Sequence, residues 1–216
     1  IILRSDPYYE TGFVNNECHC IESWFRQSGL EYKGEQPQLF TTLMEEEVVY
    51  KAISQWDKPL FLIHPFGGPI CHGSWVRDMP DYVINDVVKQ MKERYTVVQI
   101  KLKEQPEIPD TQPLISESIR ELCMFVKYSS SRFFIDSFAQ HAAAALNISS
   151  TVVWPVDKVK KLGHDLHDNI IGTNQRQRAI HLHDAYLHSD DIVGNPQQYP
   201  LASGAKIFDT QEIVDS

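Results

Sequence analysis

The chain has 216 residues, 42% of them hydrophobic and 23% charged, with a formal net charge of −9. That length suits one sizeable core, or one domain with a large appendage. The acidic balance argues against non-specific nucleic-acid binding and against docking on an anionic membrane face, while leaving room for one local basic pocket for a phosphorylated small molecule.

The opening stretch, IILRSDPYYE, lacks the basic-then-apolar order of a signal peptide, and it does not begin with methionine. No apolar run approaches the ~20 residues that a membrane span needs. Of the four cysteines (Cys18, Cys20, Cys71 and Cys123), only the first two are close together. Their Cys-His-Cys spacing is not that of a zinc knuckle or redox pair, so all four are expected to be reduced thiols of a cytoplasmic protein.

Two helices are expected at 18–29 and 43–56, joined by a connection containing Pro and Gly. PLFLIHP (59–65) then reads as a buried strand, followed by the turn signal Gly67-Gly68-Pro69. In DMPDYVINDVVKQMKERY, residues Val83, Ile84, Val87, Val88, Met91 and Tyr95 recur at helical spacing, with Pro80 and Asp81 as the start signal. TVVQIKL (96–102) is a second strand and SIRELCMFVKYS a second amphipathic helix, in which Ser118 and Glu121 have capping-box spacing. RFFID (132–136) is a third strand, the alanine-rich run after it a third helix, and STVVW (150–154) a fourth strand. A helical pattern covers 174–188, a linker 194–206, and FDTQEIVDS adds a last short helix.

This alternation predicts an α/β fold, a doubly wound parallel sheet with extra N-terminal helices and a C-terminal helical tail. The expected units are 1–57 as a connecting region, 58–172 as the sheet domain, and 173–216 as a tail packing on it. In such sheets ligands bind beyond the carboxyl ends of the strands. HPFGG, KEQPE and Asp136-Ser137 would all fall on that edge.

Each feature has a bland reading beside a functional one. Asp136 and Ser137 could simply cap a helix, or Ser137 could donate to a phosphate held at the helix start, with His141 one turn along as a second donor. Gly67 and Gly68 would let backbone approach a ligand, and Arg77 could clamp a phosphate; otherwise this is a solvent loop. There is no G-x-G-x-x-G and no Walker A, against an ordinary dinucleotide oxidoreductase or P-loop nucleotidase. Nor is there a G-x-S-x-G elbow, against a hydrolase built on Ser137 and His141. In HLHDAYLHSDD, His181, Asp184 and His188 would share a helix face, and a metal-dependent hydrolase on that tail is a minor alternative.

FFIDSFAQHAAAALNISSTVVW resembles the D-[ST]-G-x-x-H-x-A-A-A segment of heptosyltransferase-like glycosyltransferases, family 9, of GT-B fold. LFLIHPFGG…WVRDMP resembles the first donor-domain strand and the basic residue after it, here Arg77. LGHDLHDNIIG resembles the segment after the last donor-domain strand in a bacterial branch of the family. The likeness runs from about residue 18 to about residue 172. It implies a Rossmann-like, nucleotide-sugar-binding half of a GT-B fold, transferring sugar to a saccharide or lipid-linked saccharide acceptor. The implied setting is bacterial lipopolysaccharide or surface polysaccharide synthesis, with peripheral membrane association and no cofactor or metal.

By the resemblance, Asp136, Ser137, His141, Arg77, Gly67 and Gly68 would line the donor diphosphate. From its position in the loop after the second strand, Glu104 would meet the ribose. Phe138 would either crowd the approach of a phosphate to the backbone or stack on the base. Phe138 stands where the family has glycine, and WPVD stands where it has F-G-P-T. The family's acceptor domain and catalytic base have no counterpart in residues 1–17, so no catalytic residue is assigned. The chain then reads as a donor half, either a piece of a longer polypeptide or a truncated homologue. The alternative is a non-catalytic α/β binding module that has lost the acceptor domain.

Overall fold

The computed structural model describes residues 7, 10–68, 77–116, 118–155, 157–172 and 206–215. The helix expected at 174–188, with its histidines, and the linker up to residue 205 lie outside the described residues. The central motif is a six-stranded, all-parallel sheet. Its strands are β1 (Leu60–His64), β2 (Thr96–Ile100), β3 (Gln112–Leu114), β4 (Ser131–Phe134), β5 (Thr151–Trp154) and β6 (Asp168–Ile171). Their order across the sheet is β3-β2-β1-β4-β5-β6. The chain therefore winds outward from β1 in one direction, returns, and winds outward from β4 in the other. The α/β doubly wound expectation holds.

The helices are α1 (Thr11–Val14), α2 (Cys20–Gln27), α3 (Leu43–Ile53), α4 (Asp81–Met91), α5 (Ile119–Tyr128), α6 (Phe138–Ala145), α7 (Val159–Leu162) and α8 (Thr210–Asp215). Side chains alternate across the strands, so β1 sends Phe61 and Ile63 to one face and Leu60 and Leu62 to the other. The first face packs under α4, whose Val83, Ile84, Val87 and Val88 form its apolar stripe, and under Ile207, Phe208 and Ile213 of the C-terminal segment. The second face packs under α5 and α6. Tyr82 fixes the C-terminal segment by accepting, at its hydroxyl, the N–H groups of Ile207 and Phe208 at 2.9 and 2.8 Å.

Four strands were expected and the described residues form six. β3 is three residues long, contains Pro113 and lies on one edge; β6 lies on the other. Both are too short and too exposed to carry a buried-strand pattern, and proline is tolerated at an edge because one row of N–H groups is unpaired there. β4 also stops earlier than expected, at Phe134, which places Asp136 in the turn beyond it.

Local chemistry sets several boundaries. Thr42 and Glu45 form a reciprocal capping box that starts α3. Ser118 accepts the N–H of Glu121 at 3.3 Å, but the Glu121 carboxylate turns to the Ser116 hydroxyl, so only half of the expected box forms there. α2 ends in a Schellman turn, with Gly29 at φ 69° and the Leu30 N–H donating to the Phe25 carbonyl at 2.9 Å. α3 is latched to α5 by Arg120 on Glu45 and by the Tyr128 hydroxyl, which donates to Glu46 at 2.8 Å. Among the described residues no helix is long and apolar enough to cross a membrane.

Candidate functional site at the switch point of the sheet

β1 and β4 are the neighbours from which the winding diverges, and in such sheets the carboxyl ends at this switch point are where a ligand-binding crevice forms. β1 delivers His64 and the turn Pro65–Gly68 to it. β4 delivers Ile135, Asp136 and Ser137, and α6 begins at once with Phe138. The strand registers bring His64 opposite Phe134, three residues before Ser137. The His64 Nδ1 and Ser137 Oγ atoms are hydrogen-bonded at 2.9 Å.

Ser137 is the N-cap of α6, accepting the N–H of Ala139 at 3.3 Å. The capping reading of this residue is therefore correct, and its hydroxyl also reaches His64. Asp136 is 7% exposed and sits between two cationic or proton-binding groups. Arg77 donates from Nη1 to the Asp136 carbonyl at 3.0 Å and stands 3.6 Å from its carboxylate. His141 Nε2 stands 4.0 Å from the other carboxylate oxygen. Arg77 and His141 keep 31% and 37% of their side chains exposed. Arg77, Ser137 and His141 thus share one small patch at the start of a helix, where the first turn's N–H groups and the macrodipole favour an anion.

Gly67 is engaged within the chain. Its N–H donates to Asp78 Oδ1 at 2.6 Å, and its carbonyl accepts from the Gln105 amide. Burial pushes the Asp78 carboxyl up to about 6, although the Gly67 N–H and Arg77 both favour its charged form. Gly68 is half-buried and the next described residue is Arg77. Glu104 is exposed on the loop after β2; its neighbour Gln105 is the residue that ties this loop to Gly67. The Phe138 ring is half-buried, packed on the α5–α6 side of the core and edge-on to His64 at 5.3 Å.

Sequence reading passed over four residues that the structure brings here. His64 ends β1, and burial plus the positive Arg77 depress it to about 4. His164, His19 and His167 surround His141 on the side away from Asp136, with ring separations of 5.1 Å for His141–His164, 5.3 Å for His19–His164 and 5.6 Å for His164–His167. Histidine density in GHDLHDN was the available signal, but only the fold shows that it meets Cys-His-Cys from α2. Among the described residues no group of three His, Cys, Asp or Glu is placed to hold a metal ion.

Burial keeps these imidazoles neutral: the pKa of His164 falls to about 3, and His19, His141 and His167 are also lowered from an ordinary value of 6.5. Between pH 6.5 and about 4 the unfolded chain therefore binds protons that the folded chain refuses, so stability falls as pH falls through this window. Asp78 acts in the opposite sense, since its folded value is above its ordinary 3.8, but it is one group against these four and His64. The expected result is a clearly lower urea midpoint at pH 5 than at pH 7.5. An equal or higher midpoint at pH 5 would contradict the neutral assignment.

No family model and no curated protein matches the chain. Solved structures do share its fold. One is the glycosyl transferase family 9 protein from Veillonella parvula DSM 2008, with a TM-score of 0.59 and 10% identity over 92% of this chain and 58% of that one. Another is the ADP-heptose lps heptosyltransferase II of E. coli, with a TM-score of 0.56 and 16% identity over 81% of this chain and 63% of that one. The resemblance suggested by the D-S-x-x-x-H-A-A-A segment thus holds at the level of fold. The chain spans about three fifths of the length of the structures it matches.

Proposed function

We propose that this chain is the donor-binding part of a glycosyltransferase. In this reading the diphosphate of a nucleotide-linked sugar lies across the start of α6, between Arg77 and His141. The observation that carries it is the convergence of Arg77, Ser137 and His141 around Asp136 at the switch point. Asp136 holds Arg77 from behind, so the guanidinium is oriented before the anion arrives. When the sugar–phosphate bond breaks, charge builds up on the departing diphosphate. Arg77 and the helix start oppose that charge, and no metal ion is called for. Glu104, on the loop that Gln105 holds beside Gly67, would accept from the ribose hydroxyls, and Phe138 would meet the base.

The acceptor would be a saccharide or lipid-linked saccharide hydroxyl in bacterial lipopolysaccharide or surface polysaccharide synthesis, on the cytoplasmic side. The basis is the fold shared with the heptosyltransferase, together with the motif. The base that activates the acceptor hydroxyl would come from outside the residues named here.

A second reading is a binding module without transfer activity. It is favoured by the Gly67 N–H and the Ser137 hydroxyl, both already bonded inside the chain, and by the Phe138 ring standing where a phosphate would approach backbone. Calorimetric titration with ADP, GDP, UDP and CDP separates the two. Saturable binding of one of them is expected and would name the base class. Silence toward all four would put the module reading first.

A further inference from the structure

The two ring nitrogens of His141 have different neighbours, and these neighbours bear on which of them carries the proton. Nδ1 lies 2.9 Å from Nε2 of His164, so one ring donates to the other. Nε2 lies 3.4 Å from the side-chain nitrogen of Gln140 and 4.0 Å from Asp136. The Gln140 amide is oriented by its donation to the Leu162 carbonyl at 3.0 Å, since the flipped amide would set oxygen against oxygen. An amide nitrogen only donates, so this contact favours the lone pair on His141 Nε2 and the proton on Nδ1, in an orientation that leaves Gln140 Oε1 buried without a hydrogen-bond partner. His164 is then the acceptor, and a ring that is 5% exposed and neutral is suited to that.

We propose that His164 is a positioning residue: by accepting the Nδ1 proton of His141 it leaves Nε2 as a base at the mouth of the site, which takes a proton from solvent when a diphosphate binds. The new N–H bond forms at Nε2 with a proton from a hydronium ion or buffer acid, and the hydrogen bond from the Gln140 amide to that nitrogen is given up. No covalent bond in the protein breaks, and the proton returns to water when the anion leaves. His141 then becomes a second cation beside Arg77. The inference rests on the diphosphate site proposed above.

The surrounding charges are consistent with a group poised for this. Asp136 favours the imidazolium, whereas burial, Arg77, His19 and His167 oppose it. The Cys20 thiol, pushed up to about 11 mainly by burial, stays neutral. An arriving anion therefore tips a balance that is already contested. His164 itself is held in place by its neighbours. The His167 ring packs edge-on against it, and the His164 backbone carbonyl accepts from the Asn169 amide at 2.9 Å. The His19 ring, which caps α2 by accepting the Ile21 N–H at 3.2 Å, leans on it as well. A helix from the N-terminal region thus supports a histidine at the candidate site.

The test combines nitrogen-15 NMR of the imidazoles in the ligand-free chain with calorimetric titration by ADP, GDP, UDP and CDP in two buffers of different ionisation enthalpy. Expected are a His141 ring protonated at Nδ1 and proton uptake approaching one per diphosphate bound. Affinity should rise as pH falls, by up to about tenfold per pH unit. In His164→Phe the His141 tautomers should mix and the proton uptake should vanish; His164→Gln, which restores an acceptor, should recover both in part. A wild-type His141 protonated at Nε2, wild-type binding with no proton uptake, or a His164→Phe variant with the same uptake and pH profile as the wild type overturns the inference while leaving the diphosphate site intact. Absence of binding in the wild type overturns the functional reading instead, and the ligand-free tautomers of the wild type and of His164→Gln still decide the role of His164.

Discussion

Arg77→Ala is expected to weaken binding of the preferred nucleoside diphosphate by about 1.5–3 kcal/mol, roughly ten- to a hundredfold, in calorimetric titration. The loss has two sources. One is the charge-assisted contact itself. The other is Asp136, whose carboxylate is partly neutralised by a guanidinium 3.6 Å away and would face the ligand without it. Arg77→Lys keeps a point charge but not the fork that reaches both the Asp136 carbonyl and the ligand, so it should fall between wild type and alanine. Arg77→Ala would also leave the nearly buried Asp136 carboxylate without its cation, so thermal stability should fall, and Arg77→Lys should recover part of the loss. Unchanged affinity in Arg77→Ala would remove this residue from the site.

Trp154→Ala should cost about 3–5 kcal/mol of folding stability, read from urea unfolding. Trp154 ends β5, is 1% exposed, and is the largest fully buried side chain among the described residues. Its indole N–H donates to Asn169 Oδ1 at 2.8 Å, tying β5 to the edge strand β6. Truncation would open a cavity beneath the sheet edge and leave the half-buried Asn169 oxygen without this donor. Trp154→Phe retains most of the volume and loses only the donor, so it should cost much less. A loss under about 1 kcal/mol for the alanine variant would mean that the site collapses around it.

Elements with strong periodic patterns were legible from the residues alone. α4 could be read from Val83, Ile84, Val87, Val88 and Met91 because one buried stripe repeats at helical spacing, and β1 and β4 because a central parallel strand is apolar on both faces. β3, β6, α1 and α7 were not legible: each has three or four residues and none carries a run of buried apolar ones, so the pattern does not differ from loop. Arg77, Asp136, Ser137 and His141 could be nominated singly because each residue type suits an anion at a helix start. Their mutual arrangement could not, since Arg77 lies 59 residues before Asp136.

The histidines show the same division. His64 and His19 carry no signal in the sequence, because a buried neutral imidazole leaves no local trace, and the histidine density around His164 does not say what that ring meets. Their neighbours come from the ends of separate strands and helices, and only the strand order brings those ends together. By itself the sequence determined the type and direction of the main elements, and therefore an α/β sheet with ligand-facing loops on one edge, because hydrophobic periodicity is a local property. Only the tertiary structure decided which loops meet at the switch point, and that the Gly67 N–H and the Ser137 hydroxyl have partners inside the chain. It alone set which nitrogen of His141 faces out. Those outcomes depend on contacts between distant residues, and such contacts arise from how strands are ordered and how helices pack.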